Sequence, residues 1–212
     1  MFAVIFDMDG VLVANARFHE RAFAEYFSQY NVRLAPEMHG RGNNDLMEEL
    51  FPDATDERRA ELSAGKEAYY RKIYQPHIQP AEGLLALLDE LKTRGIPLAV
   101  GSSAPVENID FVLDSLQIRS YFDVIVIASM VEKAKPAPDI YLKAAELLKI
   151  NPANCLVFED ALAGIESAKS AGMKVVGLAS SLPASRLTAS DRVIAGFTEI
   201  RFDDIKKLAE TK

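Results

Sequence analysis

The chain has 212 residues, of which 49% are apolar and 26% charged, enough to bury one good-sized core with room for a small second unit. Its formal charge of -7 argues against duplex nucleic acid or an anionic membrane surface as a partner. Cys155 is the single cysteine and has no internal disulfide mate, the start shows no basic segment leading into a long apolar run, and no stretch reaches the ~18 apolar residues of a membrane span, so a cytoplasmic, reducing location is expected.

The first element is FAVIF (2–6), short and without polar alternation, which suits a strand covered on both faces. It runs straight into Asp7, Met8, Asp9 and Gly10. From position 13 to about 80 there is no convincing strand pattern. Phe18, Ala22, Phe23, Tyr26 and Phe27 form one helical stripe, Leu46, Leu50 and Phe51 suggest a second, and 62–74 a third.

Strand and helix then alternate. EGLLALLDELKTRG (82–95) puts Leu84, Leu87, Leu88 and Leu91 on one helical face, with Gly95 as its stop. IPLAV (96–100) reads as a strand, and VENIDFVLDSL as a helix with Pro105 at its first position. VIVI (124–127) is the next strand. DIYLKAAELLKI (139–150) follows as a helix with Ile140, Ala144, Leu147 and Leu148 inward. CLVF (155–158), a helix over 161–172, VVGL (175–178) and a weaker RVIA (192–195) complete the series. Such alternation predicts an α/β fold, an open parallel sheet with helices on both faces. The insert of about 60 residues leaves just after the first strand and would sit above its carboxyl end, where open α/β sheets bind ligands. The expected division is 1–14 with 81–212 as the core domain and 15–80 as a helical cap domain.

The chemistry gathers at the strand ends. Asp7 and Asp9 close the first strand. An Asp there can simply start a turn, and Gly10 suits one. Alternatively, one carboxylate attacks phosphorus while the other handles a proton, which requires compensating positive charge from a metal, a lysine or both. GSSAP (101–105) offers the Ser102 and Ser103 hydroxyls before a helix start, where free N–H groups favour an anion; a plain serine cap is the other reading. KAKPAPD (133–139) carries Lys135 on a loop stiffened by two prolines, a fixed point charge for a phosphate. FEDALAG (158–164) supplies Glu159 and Asp160, hard oxygen ligands better suited to Mg2+ than to zinc, or else acids at a helix start.

DMDGV, GSSA, KPAPD and FEDALAGIESAKSAGM, in that order and spread over most of the chain, resemble the four motifs of the haloacid dehalogenase superfamily of phosphotransferases. The insert resembles the helical cap of the branch containing β-phosphoglucomutase and many small-molecule phosphatases. The resemblance implies a Rossmann-like core with an inserted α-helical cap and a Mg2+ cofactor. Asp7 would be the nucleophile that forms a phosphoaspartate. Asp9 would serve as general acid and then base, with its backbone carbonyl on the metal. Ser102, with Ser103, would bind the phosphoryl group, and Lys135 would neutralise charge on Asp7 and on that group. Asp160 would bind the metal, with Glu159 a ligand directly or through water. An Asp at both positions of the first motif resembles phosphotransferases rather than dehalogenases.

Substrate choice is expected in the cap, at Asn15, His19, Arg41, Asn43, Asn44 and Lys66. His19 and Lys66 match places where the mutases carry the same residue types. The mutases also carry an Arg three residues after a cap Gly; GRGNND (40–45) has Asn43 there, and Ala14–Asn15 replaces the usual Asp-Thr/Ser pair. The function implied is a Mg2+-dependent phosphatase acting on a small phosphorylated metabolite. The alternatives are a β-phosphoglucomutase-like isomerase, an inorganic pyrophosphatase, or a phosphate binder without catalysis. No nucleic-acid or membrane partner is expected, and the chain is expected to be a monomer.

Overall fold

A computed structural model of the protein describes residues 1–30, 32 and 43–211. Six strands form one sheet: β1 (Ala3–Phe6), β2 (Leu98–Ser102), β3 (Val124–Ile127), β4 (Cys155–Glu159), β5 (Lys174–Leu178) and β6 (Arg192–Ile194). Their order is β3-β2-β1-β4-β5-β6, and every pairing is parallel. The chain therefore builds outward from β1 in one direction, then returns to place β4 on its other side. That reversal makes the crevice between the carboxyl ends of β1 and β4 the ligand-binding position of such sheets.

The sequence-predicted strands all form, with shifted ends. The second begins at Leu98 rather than Ile96 and runs on through Gly101 and Ser102, because its ladder with β3 extends to Ser102 opposite Ile127. The two outer strands, β3 and β6, are only half-buried, unlike the fully covered strands expected throughout, since each lacks a neighbour on one side.

Strand parity decides which side chains meet. Ala3, Ile5, Ala99, Cys155, Val157 and Val175 face α6 (Asp139–Leu148) and α7 (Leu162–Ser170), packing with Ile140, Tyr141, Ala144, Ile165 and Ala168. The opposite face carries an aromatic layer in which Phe6 stacks on Phe158 at 5.1 Å and Phe197 meets both rings. Phe2 reaches Phe202 of α8 (Phe202–Glu210) on that face, and α8 packs beside α4 (Leu84–Thr93). α5 is Val106–Ser115; it starts one residue after the expected Pro105, which stands before it as the cap. In α6 the inward stripe is Ile140, Tyr141, Ala144 and Ala145. Leu147, expected inside, is exposed, because the stripe set by 140, 141, 144 and 145 turns it away from the sheet.

The described chain divides into two compact units, 1–14 with 79–212 and 15–78. The second contains α1 (Ala16–Phe27), α2 (Asn43–Leu50) and α3 (Asp56–Tyr74), and no strand among its described residues. It has its own core, in which Phe23, Phe27, Leu46, Met47 and Leu62 are buried together. α3 starts where the Thr55 hydroxyl accepts the Arg58 N–H at 3.3 Å, with Asp56 and Glu57 in its first turn and Arg71 and Lys72 in its last. Those charges oppose the helix dipole at both ends.

Candidate active site

Asp7 is the residue after β1, and Glu159 ends the neighbouring β4. Phe6 pairs with Phe158, so the register sets the two carboxylates side by side. Both continue the odd-numbered rows that face α6 and α7, which is the side from which Lys135 enters. The loop carrying Lys135 is tied down. Asp139 accepts the Lys133 N–H at 3.2 Å, and the Ser167 hydroxyl donates to the Ala137 carbonyl at 2.6 Å.

The Lys135 ammonium donates to Asp7 Oδ1 at 2.6 Å, to Glu159 Oε1 at 2.7 Å and to the Gly101 carbonyl at 3.0 Å. Its three N–H groups therefore have three acceptors. Glu159 is held as completely. Oε1 also accepts the Tyr141 hydroxyl at 2.8 Å, and Oε2 accepts the backbone N–H groups of Asp160 at 2.9 Å and Ala161 at 3.1 Å.

Asp9 sits on the turn that follows β1. The carbonyl of Met8 accepts the Leu12 N–H at 2.9 Å, and the Gly10 N–H donates to the Val13 carbonyl at 2.8 Å, which folds the chain back on itself. Gly10 has φ +78, and a Cβ there would run into the Asp160 carboxylate and the Ser181 hydroxyl. The turn therefore needs glycine for both its backbone angle and its close approach to Asp160. The Ser180 hydroxyl braces it by donating to the Gly10 carbonyl at 2.5 Å.

The electrostatics follow from burial. Loss of solvent pushes the Asp7 carboxyl well above its ordinary value of 3.8; Glu159, Asp160 and Asp9 push the same way, and Lys135 pulls it down. Burial, then the charge of Glu159, raises Asp160 from 3.8 to about 7, against the opposing pull of a Ser181 hydrogen bond and of Lys135. Burial disfavours charge on Lys135, yet Asp7 and Glu159 together hold its proton more firmly than in water. The cluster is thus short of positive charge. Asp7, Glu159 and Asp160 each bring a carboxylate oxygen within 4.8 Å of the others, and all three are buried. Several hard oxygen donors with one cation among them are a donor set that fits a divalent metal ion. Of the three, Glu159 already has four protein donors on its two oxygens, so Asp7 and Asp160 offer the more available oxygens.

Ser102, buried at the end of β2, accepts the Ala104 N–H at 3.1 Å through its hydroxyl oxygen, which leaves its own proton to donate. Ser103 is exposed. In the helical unit the Asn15 amide donates to the Tyr70 hydroxyl at 2.6 Å, and the His19 ring stacks on Tyr70 at 3.8 Å. Lys66 is buried and ion-paired with Glu67. Asn43 and Asn44 open α2, and Arg41 lies outside the described residues. The sequence reading missed Tyr141, Tyr70, Glu67, Ser180 and Ser181. For Tyr141 a signal existed: it lies two residues beyond Asp139, on the helix expected to cover the sheet face that Lys135 must reach.

Residues 4–178 match the haloacid dehalogenase-like hydrolase family. The chain is 30% identical over 205 residues to a validoxylamine A 7'-phosphate phosphatase of Streptomyces hygroscopicus subsp. limoneus, covering 95% of this chain and 96% of that protein. It is 34% identical over 196 residues to a β-phosphoglucomutase of Bacillus subtilis, covering 86% and 85%. A crystal structure of a family IA, variant 3 hydrolase from Entamoeba histolytica superposes with a TM-score of 0.90 at 29% identity, covering 100% of each chain. No helix among the described residues is long and apolar enough to cross a membrane. Both the register that joins Asp7 to Glu159 and the ordered set of strand-end motifs agree with these likenesses: the chain belongs to the haloacid dehalogenase-like hydrolase family, in its branch of phosphatases and β-phosphoglucomutase-like proteins.

Proposed function

We propose that this protein is a Mg2+-dependent phosphatase that hydrolyses a small phosphorylated metabolite through a phosphoaspartate on Asp7. The observation that carries the reading is the Lys135 ammonium seated 2.6 Å from Asp7 Oδ1 at the sheet's switch point, with two further buried carboxylates beside it. Asp7 attacks phosphorus as the bond to the leaving oxygen breaks, and Asp9 gives that oxygen its proton. Asp9 then takes a proton from water, whose oxygen attacks phosphorus and frees the Asp7 carboxylate and phosphate. Lys135 offsets charge on Asp7 and the phosphoryl oxygens, while Ser102 donates to one of those oxygens and Ser103 stands on the open side. Asp7, Asp9 and Asp160 would hold Mg2+, with Glu159 behind them, directly or through water. When bound, the ion supplies the positive charge the carboxylates lack.

The helical unit is proposed as the cap that selects the substrate, with Asn15, His19, Arg41, Asn43, Asn44 and Lys66 as its selecting residues. The resemblance to the Bacillus subtilis β-phosphoglucomutase favours one second reading, in which a sugar hydroxyl takes the place of water. Asn43, where the mutases carry Arg, weighs against it.

The test is phosphate release from a panel of sugar phosphates, other phosphorylated metabolites and pyrophosphate, each with Mg2+. Release that disappears with EDTA and in Asp7→Asn is the expected result. No release from any compound by a folded wild-type chain would refute the phosphatase. In that case, turnover of β-glucose 1-phosphate with a bisphosphate activator would establish the mutase.

A further inference from the structure

We infer that Tyr141 is a positioning residue for the reaction: it holds Glu159, and through Glu159 it sets the Lys135 ammonium against Asp7. The inference rests on the phosphatase reading for its kinetic arm only.

Lysine is a flexible stem ending in a point charge, so a fixed ammonium has to be held by its surroundings. Here the acceptors are Asp7, Glu159 and the Gly101 carbonyl, and the ammonium also lies over the Tyr141 ring, 4.7 Å from its centroid. A buried aromatic face under a desolvated cation is attractive in itself. The Tyr141 hydroxyl then donates to the same Oε1 of Glu159 that accepts Lys135. One fully buried side chain therefore touches both members of the Lys135–Glu159 pair, by its ring and by its hydroxyl.

The hydroxyl also balances the lysine. Two buried carboxylates compete for one ammonium. A neutral donor on Glu159 Oε1 satisfies part of that oxygen's demand and leaves more of the lysine for Asp7. Without it, Glu159 would draw the ammonium toward itself, away from the nucleophile and the phosphoryl group bound there.

The fold has made room for this ring. Gly101 is the strand residue facing it, and a Cβ on Gly101 would press on Ile140 at 3.1 Å and on the Tyr141 ring at 3.2 Å. Thus β2 provides the carbonyl that receives Lys135 and the gap that admits Tyr141.

The experiment compares wild type with Tyr141→Phe, which keeps the ring and removes the hydroxyl. Two readouts are taken with Mg2+: hydrolysis of p-nitrophenyl phosphate, and affinity for beryllium fluoride, which caps an aspartate as a tetrahedral phosphoryl mimic and needs no turnover. Tyr141→Phe should lower kcat about tenfold with KM within about twofold, and weaken fluoroberyllate binding by a similar factor. In a Lys135→Met background the same change should weaken fluoroberyllate binding no further, because the residue acts through the lysine. Wild-type kcat and fluoroberyllate affinity in Tyr141→Phe would overturn the inference. So would a loss that simply multiplies with that of Lys135→Met, which would mark Tyr141 as a packing residue. A wild-type chain that binds fluoroberyllate but hydrolyses nothing would sink the phosphatase and leave the binding arm to decide Tyr141.

Discussion

Gly164 stands in the first turn of α7 at a point where any side chain would run into the Glu159 carboxylate. Since four donors pin that carboxylate, it has no easy way to yield. Gly164→Ala should therefore cut phosphate release at least about tenfold and cost about 1–3 kcal/mol in urea unfolding, although Ala is normally the better helix residue. Asp160 gives a second prediction at this scale. Its carboxyl is raised from 3.8 to about 7, so between those values the native chain binds more protons there than the unfolded chain does. Without metal, this group's contribution to stability is complete below about pH 4 and is lost as pH rises to about 7. A divalent ion competes for the same oxygens, so its apparent affinity should climb over that range and then level off. Unfolding midpoints from pH 4 to 8, in EDTA and in Mg2+, check both: the fall with pH should appear in EDTA and flatten with the ion.

At the scale of elements, α1 and α3 pack closely enough that the Tyr26 hydroxyl fills the place of a Cβ on Gly65. Tyr26 is hemmed in by Phe27, Tyr30 and Tyr69, so its ring has little freedom to swing away. In an exposed helix Gly→Ala stabilises by about 1 kcal/mol. Gly65→Ala should do the reverse here, lowering the stability of the helical unit by about 1 kcal/mol; hydrogen exchange of α1 and α3 amides would show faster opening, and slower exchange would refute the packing argument. Strand β1 illustrates the same dependence on neighbours. Four residues, all buried, deliver Asp7 because β2 and β4 hold them on both sides.

At the scale of the molecule, the helical unit is a single insertion into the sheet unit. The Ala81 N–H donates to the Leu12 carbonyl at 2.9 Å, so the sheet unit's chain comes together again close to where it was interrupted. Replacing 15–78 by a short Gly-Ser linker should therefore leave a folded sheet unit, since backbone ends already in contact tolerate a short closure. Circular dichroism and a cooperative thermal transition check the fold. The excised protein should still bind Mg2+ but should lose discrimination among phosphorylated compounds. Retained selectivity would remove the substrate-selecting role from the insertion.

What was legible in the sequence was what local chemistry dictates. Apolar runs without alternation suit covered strands, and FAVIF, CLVF and VVGL form them, whereas VIVI becomes a half-buried edge strand. Charges and prolines at their ends identified Asp7, Lys135, Glu159 and Asp160 as strand-end residues, and the structure joins these four. Helix α8 was not read, because FDDIKKLAE is polar enough to pass for a solvated tail until Phe202 and Ile205 find the sheet. Ser181 escaped for a related reason: neither its type nor its spacing marks it, and it gains its role only from Asp160, which another part of the chain delivers. Sequence by itself determined the order of the elements and the kinds of group at their ends, because these follow from the periodicity and chemistry of neighbouring residues. Only the tertiary structure decided which oxygen each proton meets, because strand order and parity bring together residues far apart in the chain, as with Lys135 and Asp7, 128 positions apart.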